Sequence, residues 1–553
     1  MSNVKGKSDV TPTESETTGT AGNFPHGSRE TPATSAVPMA ADRSEKARRH
    51  NPDMLVAGES DSLIVPAKSA NKGSVPLPAE SMEERGLTKE NIEPLLLART
   101  QCRNSDGAPF VPRSRGLFGV REAARKDKKL RFTSLLHHFT PELLRASFFD
   151  LKKQAAPGVD EQTWRDYAED FERRIDDLHG RIHRGAYRAK PSKRTYIPKP
   201  DGKMRPLGIA SLEDKIVQQT ARVVLECVYE QDFLGFSYGF RPGRSQHRAL
   251  DALYVAITKR KVNWMIDADI RGFFDNISHE WLMKFLEHRI ADRRMLRLLK
   301  KWLKAGVSED GEWSPTNVGT PQGAVISPLY ANVFLHYVLD LWIDDWRKRH
   351  AQGEVSVVRY ADDFVIGFRE ESDARRCLAD LKERLAKFGL ELHPEKTRLI
   401  EFGRYAEERR AKRGEGRPET FDFLGFTHIS GKTRRGDYTI HRKTARKKFH
   451  AKLADLKAKL RRSMHADLSQ VGSWLRSVLR GWYRYYAIPG NYARLRQFRD
   501  ALQALWLRVL RRRSQRGRRF TWEKFAKVCK PWLPSPKILH PYPNVRFAGQ
   551  HPR

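Results

Sequence analysis

VVRYADDFVI, residues 357–366, is an apolar run interrupted by two adjacent carboxylates, Asp362 and Asp363. The β-prone residues on both sides predict two arms of a hairpin, with Ala361, Asp362 and Asp363 between them. Neighbouring aspartates repel each other and resist removal from water. A positively charged partner is therefore expected to lie against them, although a lone motif of this kind also fits an exposed acidic turn.

A second acidic stretch, NWMIDADIRGFFDNISH (263–279), follows another β-prone run. Asp267 and Asp269 lie on the same side of a strand, and Asp275 comes after the next turn. Carboxylates that converge from two strands suit a hard cation such as Mg²⁺. Two such ions, about 3.5–4 Å apart, are the apparatus for in-line attack at phosphorus. The pattern predicts a metal site for phosphoryl transfer, and it leaves the choice among these three aspartates open.

The composition points to a polyanionic partner. The 553 residues include 103 Lys and Arg against 67 Asp and Glu, a formal net charge of +36. Nucleic acid or an anionic membrane surface would account for this excess. No apolar run approaches the roughly 18 residues that span a bilayer, and the N-terminus lacks a signal-peptide core. We therefore expect nucleic acid as the partner and no membrane.

Four widely separated cysteines without a CxxC pair exclude a disulfide scaffold and an ordinary zinc finger. A reducing, intracellular location in the cytoplasm is expected. Residues 1–114 are rich in Ser, Thr, Pro, Ala and Gly, and are predicted to be disordered. Helical spacing begins near residue 116, and Thr140-Pro141 is a good helix start. Short β-rich runs and amphipathic helices alternate from about 195 to 430, which predicts an α+β fold.

The acidic motifs resemble those of a known family. Tyr360-Ala361-Asp362-Asp363 matches the catalytic YADD motif of reverse transcriptases, and DADIRGFFDNISH is similar to their other metal-binding motif. The resemblance implies two Mg²⁺ ions, with Mn²⁺ as a possible substitute. It assigns the metal-binding residues, which are Asp269, Ile270, Asp362 and Asp363. It makes Phe274 the aromatic gate under the sugar, and it leaves out Asp267 and Asp275.

The resemblance is closest to bacterial group II intron-encoded reverse transcriptase/maturases. It covers roughly residues 116–530 in the family's order. Five further stretches carry it: YIPKPDGKMRPLGIASLEDKIVQ (196–218), YGFRPGRSQHRALDAL (238–253), GTPQGAVISPLYANVFL (319–335), FGLELHPEKTRLIEFG (388–403) and FDFLGF (421–426). In that family the second of these contacts template, and the last resembles the primer grip.

Four residues of these stretches are implied to bind the nucleotide together with Phe274. Lys199 and Arg205 would meet the triphosphate of the incoming nucleotide. Gln322, followed by Gly323, would pack against the nascent base pair. Lys396 would lie near the leaving group.

The implied architecture is α+β, a right-hand polymerase fold with fingers and palm, followed by a helical basic thumb/maturase domain. The expected divisions are a disordered extension (1–114), N-terminal helices and fingers (115–260), a palm (261–430), the thumb/maturase domain (431–530) and a short basic proline-rich tail (531–553).

The basic helical end has two faces. In GSWLRSVLRGWYRYYAIPGNYARLRQF (472–498) an apolar stripe recurs every four residues and is expected to be core: Trp474, Val478, Trp482 and Tyr486. Arginines 476, 480 and 484 follow the same period, turned about 200° away at ~100° per residue, and are expected to face outward. LWLRVLRRRSQRGRRF (505–520) adds a second cluster. The predicted RNA-binding residues are Arg476, Arg480, Arg484, Arg508, Arg511 and Arg512.

The expected function is RNA-directed DNA polymerisation, in which deoxynucleoside triphosphates extend a DNA primer on an RNA template. The host group II intron RNA is the expected second partner, for splicing and mobility at a DNA target. Two alternatives remain open: a reverse transcriptase of phage defence or diversity generation, and a non-enzymatic RNA-binding splicing factor. The sequence ends soon after Cys529 without the cysteine pairs of an HNH endonuclease. Second-strand cleavage is therefore not expected.

Overall fold

The computed structural model describes residues 114–198 and 204–550, without the side chains of the last two. The predicted disordered extension lies outside the described residues, apart from Ser114 at the start of the first helix. Thr140 caps the second helix by accepting the Leu143 N–H at 3.3 Å, and Pro141 is its first residue, which confirms the predicted start. The N-terminal helices are α1 (Arg115–Lys126), α2 (Pro141–Asp150), α3 (Trp164–Ala168), α4 (Phe171–His183), α5 (Leu212–Asp232) and α6 (Gln246–Lys259).

A central antiparallel sheet carries the acidic motifs. Its strand order is β6-β7-β3-β8. The predicted hairpin is present: Tyr360 pairs with Asp363, so that only Ala361 and Asp362 form the turn. Asp363 is thus the first residue of the second strand. The strands of this sheet are β3 (Trp264–Ala268), β6 (Val355–Tyr360), β7 (Asp363–Phe368) and β8 (Arg398–Glu401).

Helices pack around this sheet and bury a large apolar core. Two of them, α9 and α10, form one continuous helix that is interrupted by a π-helical segment, His336–Asp340. The wider turn of a π segment changes which residues face inward, and such segments are frequent at functional sites. The helices of this region are α7 (His279–Glu287), α8 (Arg293–Lys304), α9 (Ser327–Leu335), α10 (Leu341–Arg349), α11 (Glu371–Ala386) and α12 (Ala406–Lys412).

Two smaller sheets accompany the central one. The first has the order β2-β1-β4-β5, and the second has the order β11-β10-β9. Lys199 follows β1 directly and lies outside the described residues. The strands are β1 (Ser192–Pro198), β2 (Met204–Ile209), β4 (Val307–Glu309), β5 (Glu312–Ser314), β9 (Phe421–Phe423), β10 (Phe426–Lys432) and β11 (Tyr438–Thr444). This mixture of helices and largely antiparallel sheets confirms the predicted α+β class.

The C-terminal part is helical and has its own core. The predicted apolar stripe packs against that core, and the Trp482 ring stacks on Phe498 with centroids 4.1 Å apart. Leu475 and Leu479 on the same helix are fully buried. The helices are α13 (Arg446–Arg462), α14 (Leu468–Tyr486), α15 (Tyr492–Arg512), α16 (Trp522–Val528) and α17 (Pro543–Gln550). Within 114–198 and 204–550, none of the helices has the length and apolar character needed to cross a membrane.

The segment after residue 531, expected only as a tail, folds back onto the protein. The backbone N–H groups of Leu539 and His540 donate to the Ala487 carbonyl at 2.9 and 3.2 Å. Arg546 of α17 forms an ion pair with Asp251 of α6, which is 1% exposed and also pairs with Arg442 at 3.3 Å. The end of the described chain therefore ties α6 to the C-terminal helices.

Candidate active site

The turn between β6 and β7 is held in an unusual conformation. Ala361 has φ +57°, in the left-handed region that non-glycine residues rarely adopt. The backbone at Gly239 packs directly against it, since a Cβ atom there would lie 2.1 Å from the Ala361 nitrogen. The Asn332 amide donates to the Gly239 carbonyl at 2.8 Å and fixes that approach. The stretch 238–253 therefore supports the turn that carries Asp362 and Asp363.

We expect Gly239→Ala to reduce primer extension strongly, because the added methyl group would push the turn out of position. The effect should appear as a lower kcat with a smaller change in the thermal midpoint. Gly235→Ala is the matched control, since a Cβ at Gly235 meets no atom within 4 Å. Equal activity of the two variants would show that the contact does not position the turn.

A buried ionic network lies beneath the turn and was not anticipated from the sequence. Arg359 and Asp340 are both 0% exposed. The guanidinium donates to the two carboxylate oxygens of Asp340 at 2.7 and 2.5 Å, and to the Ala361 carbonyl at 2.9 Å. Ser237 Oγ and Asn332 Oδ1 accept its other hydrogen bonds at 2.7 and 3.2 Å. Arg359 thus connects the π segment of the long helix to the backbone of the turn.

Asp269 lies at the end of β3, beside the turn. Ala268 pairs with Phe364 across β3 and β7, which brings Asp269 next to Asp363. The Asp269 carbonyl accepts the His393 N–H at 2.8 Å, and its carboxylate pairs with Lys396, Nζ to Oδ2 2.6 Å. The structure therefore brings the predicted leaving-group lysine onto the predicted metal-binding aspartate.

The three aspartates share one electrostatic environment. Desolvation, followed by the charges of Asp362, Asp269 and Asp267, raises the pKa of Asp363 to about 7. The Asp363 side chain is exposed, so the repulsion from the neighbouring carboxylates is the firmer part of this cause. Desolvation also raises the pKa of Asp362; the charge of Asp269 adds to this rise, whereas Arg205 opposes it. A bound cation would lower the electrostatic repulsion among these neighbouring carboxylates.

The donor set fits a hard divalent cation, because all of its side-chain ligands are carboxylate oxygens. The buried Ile270 pairs with Leu392 in an isolated bridge, beside the same aspartates. Among the described residues, no three His, Cys, Asp or Glu side chains are gathered closely enough to hold an ion. Lys396 instead neutralises Asp269. Metal binding at Asp269 would therefore require this lysine to move away from the carboxylate.

The two aspartates that the resemblance left out have other surroundings. Asp267 faces β8 and forms an ion pair with Arg398, Nη2 to Oδ2 3.2 Å. Asp275 is exposed at the end of a short 3₁₀ turn, Phe273–Asp275. Asp267 and Asp269 therefore each have a cationic partner, and the exclusion of Asp267 from the metal ligands stays a prediction.

The predicted gate and base-pair residues lie on two loops that are joined by backbone hydrogen bonds. Thr320 N–H donates to the Phe274 carbonyl at 2.8 Å, and Gly208 N–H donates to the Gln322 carbonyl at 2.8 Å. Gly319 has φ +84°, and a Cβ atom there would lie 2.9 Å from the Phe274 oxygen. Phe274 is half-buried against the core. The loop 319–323 therefore connects Phe274 to β2, the strand that carries Arg205.

Tyr485 of α14 is a further residue that the sequence did not single out. Its hydroxyl donates to the Leu424 carbonyl in the FDFLGF stretch at 2.7 Å, and its own carbonyl contacts the His247 ring at 2.8 Å. Burial, with Asp363 among the neighbouring charges, raises the pKa of Tyr485. The predicted primer grip and the predicted template segment therefore meet at this tyrosine.

The arginine stripe of α14 does not face outward as a unit. Arg476 is half-buried: its side chain donates to the Pro531 carbonyl at 2.9 Å and lies over the Trp532 ring at 4.7 Å. The outward orientation predicted for Arg476 is wrong, because the segment after Cys529 folds over that side of the helix. Arg480 and Arg484 are exposed, as are the remaining predicted RNA-binding residues, Arg508, Arg511 and Arg512.

The chain matches known proteins over the same region. Residues 197–428 match the family model of reverse transcriptase (RNA-dependent DNA polymerase). Protein YkfC of Escherichia coli is 32% identical over 379 residues, which cover 61% of this chain and 94% of YkfC. Group II intron-encoded protein LtrA of Lactococcus lactis is 42% identical over 176 residues, 31% of this chain and 28% of LtrA.

A third relative, the putative COX1/OXI3 intron 1 protein of Saccharomyces cerevisiae, is 27% identical over 401 residues, 58% of this chain and 46% of that protein. The chain therefore spans less than a third of LtrA and less than half of the yeast protein. These matches, and the acidic turn with its supporting loops, confirm the family that the motifs indicated. The chain belongs to the group II intron-encoded reverse transcriptase/maturase family, whose catalytic module is an RNA-dependent DNA polymerase.

Proposed function

We propose that this protein extends a DNA primer on an RNA template with deoxynucleoside triphosphates. The observation that carries the proposal is the convergence of Asp269, Asp362 and Asp363, with Lys396 on one of them and Arg205 within electrostatic reach of another. Paired carboxylates beside cationic side chains suit phosphoryl transfer from a triphosphate.

Each residue of the site has a distinct role in this proposal. Asp269, Asp362, Asp363 and the Ile270 carbonyl would hold two Mg²⁺ ions, or Mn²⁺ in their place. When bound, the ions would supply activation of the primer 3′-hydroxyl and charge neutralisation at the leaving pyrophosphate. Lys396, released from Asp269, would neutralise the leaving group.

The remaining site residues orient the nucleotide. Arg205, together with Lys199, would bind the triphosphate. Gln322, on the loop that is hydrogen-bonded to β2, would contact the nascent base pair. In this proposal the fingers (115–260) carry β1 and β2, the palm (261–430) carries the central sheet, and the helices from 431 to 530 form the thumb/maturase domain. The hairpin β4–β5 falls within the expected palm range, but it pairs with β1 and so extends the fingers sheet.

Phe274 is proposed to select deoxyribose. The Thr320 N–H donates to its carbonyl and fixes the backbone of this half-buried residue, and in this proposal the ring would lie where a ribose 2′-hydroxyl must go. We expect Phe274→Ala to raise the efficiency of ribonucleotide incorporation relative to that of deoxyribonucleotide. The ratio of the two kcat/KM values measures this selectivity. Phe274→Tyr, which keeps the ring, is the matched variant. If Phe274→Ala leaves the ratio of the two kcat/KM values unchanged, Phe274 does not select the sugar.

We further propose that the protein binds its host group II intron RNA and assists splicing and mobility inside a bacterial cell. The support is family membership, the net charge of +36 and the exposed arginines of α14 and α15. Three of the arginines, Arg508, Arg511 and Arg512, lie within one helical turn or so of each other, as a phosphate-tracking surface requires.

One variant separates the two activities. Asp363→Asn removes a catalytic carboxylate and leaves the helical basic part intact, so we expect loss of primer extension with splicing retained. Splicing is measured on the group II intron that flanks the reading frame in its source DNA. If the wild-type protein extends primers but does not stimulate splicing of that intron, the alternative of a reverse transcriptase from phage defence or diversity generation is favoured.

A further inference from the structure

A cavity of about 260 Å³ opens between α13 and α15, away from the acidic turn. Its apolar side chains are Met464, Leu505 and Val509, and its cationic side chains are Lys457, Arg461, Arg508 and Arg512. Lys457 and Arg461 are one turn apart on α13. Leu505, Arg508, Val509 and Arg512 follow the spacing of a single helix face on α15. The two helices thus enclose an apolar floor with a cationic rim.

The rim has no acidic partner in the described part of the chain. The only carboxylate that α13 offers within its own length, Asp455, is paired with Lys452 and Lys459 and not with the rim residues. All four rim residues are exposed, whereas Val509 at the floor is 8% exposed. Four like charges around one opening repel each other, and an anion bound there would relieve that repulsion.

The floor restricts the class of anion. A free phosphate would satisfy the rim but leave the apolar floor in contact with water. An unstacked nucleotide satisfies both, since its base covers an apolar surface while the flanking phosphates meet lysine and arginine. Three of the four rim residues are arginines, which also stack on base planes.

We propose that this cavity takes one unpaired nucleotide of a structured RNA, with the base on the floor and the neighbouring phosphates on the rim. The proposal rests on the proposed binding of intron RNA and specifies where an unpaired base is held. It requires a single-stranded position in the RNA, because a base within a helix cannot leave its stack without cost.

The first test uses charge-matched variants of the full chain. Lys457→Gln/Arg461→Gln removes two rim cations, and Lys448→Gln/Arg462→Gln removes the same two residue types from exposed positions of α13 that do not line the cavity. Binding of a fluorescein-labelled single-stranded RNA is measured by anisotropy across a salt series. The rim variant should bind more weakly, and its slope of log K against log salt should be smaller by about 1.4, at roughly 0.7 per phosphate contact. The affinity and the salt slope of the control variant, Lys448→Gln/Arg462→Gln, should change less than those of the rim variant.

The second test locates the base. An RNA with one 4-thiouridine is cross-linked to the wild-type protein, and the adduct is mapped by mass spectrometry; it should fall on residues 457–464 or 505–512. Replacing that nucleotide by an abasic residue should weaken binding to the wild type but not to Leu505→Asn. Thermal melting followed by circular dichroism checks that the variants are folded.

Wild-type affinity, salt slope and cross-link in the rim variant would overturn the proposal. A polyglutamate peptide serves as a probe for an acidic protein partner. If the rim variant loses binding to this peptide and binds RNA like the wild type, the proposal is overturned and the cavity is assigned to an acidic protein. Binding of the flanking group II intron RNA to the wild-type protein is measured in parallel. Failure of the wild type to bind this RNA contradicts the proposed intron-RNA function, whereas a cross-link of the labelled single-stranded RNA to the cavity still supports the nucleotide site.

Discussion

Alanine at Asp269, Asp362 or Asp363 is expected to lower RNA-templated primer extension by about 10³-fold or more. Loss of a metal ligand removes several kcal/mol of stabilisation of the developing charge, and each 1.36 kcal/mol is about tenfold in rate. Single-nucleotide incorporation with purified variants measures the loss as a function of Mg²⁺ concentration. Raising Mg²⁺ or substituting Mn²⁺ should recover part of the activity of the conservative Asp→Asn variants.

Asp267→Ala is the matched control on the same strand. Asp267 pairs with Arg398 at 3.2 Å, and its charge is a smaller contributor to the raised pKa of Asp363 than that of Asp269. Substantial extension activity is therefore expected to remain. Full activity of Asp269→Ala, or a loss at Asp267 as large as at Asp269, would contradict the assignment of the metal ligands.

The second large effect is expected at Arg359. Arg359→Met leaves Asp340 as an uncompensated charge at 0% exposure, and breaking a buried ion pair in this way costs about 3–5 kcal/mol. The free energy of unfolding, measured by denaturant titration, should fall by that amount. Extension should fall as well, because the Ala361 carbonyl loses the donor that holds the turn.

A double variant separates stability from positioning. Arg359→Met/Asp340→Leu removes both charges, and apolar replacement of a buried pair often restores stability. We expect the thermal midpoint to recover in large part while kcat stays low, with KM for the primer-template much less changed. Recovery of kcat together with the midpoint would show that Arg359 is structural only and does not position the acidic turn.

The local chemistry of the site was predictable because it is carried by short stretches. The hairpin around Asp362 and Asp363 follows from β-prone arms on both sides of a polar pair, and the helix start at Thr140 from a capping residue before proline. The choice of Asp269 over Asp267 comes from the family resemblance, because the local pattern does not separate them. Their surroundings depend on long-range pairing: Arg398 reaches Asp267 across 131 residues because β3 and β8 pair, and Lys396 pairs with Asp269.

Features that depend on long-range packing were missed. Arg359 looks like an isolated charge in an apolar strand, and its partner Asp340 lies on a π segment that no periodicity indicates. A lone arginine in a buried strand nevertheless implies a buried acid, and that inference was available from VVRYADDFVI. Helical geometry alone predicts that Arg476 faces solvent. The contact of Arg476 with Trp532 depends on the fold of a segment more than fifty residues later, which no local pattern indicates.

The central claim is that the acidic turn polymerises DNA on RNA, and one measurement tests it most directly. The full-length protein is mixed with a labelled DNA primer annealed to an RNA template, and each deoxynucleoside triphosphate is supplied singly with Mg²⁺. We predict extension by the complementary nucleotide, none with the other three, and none when Mg²⁺ is chelated. Binding of the primer-template without template-directed extension, in Mg²⁺ or Mn²⁺, would contradict the claim and favour a non-enzymatic RNA-binding protein.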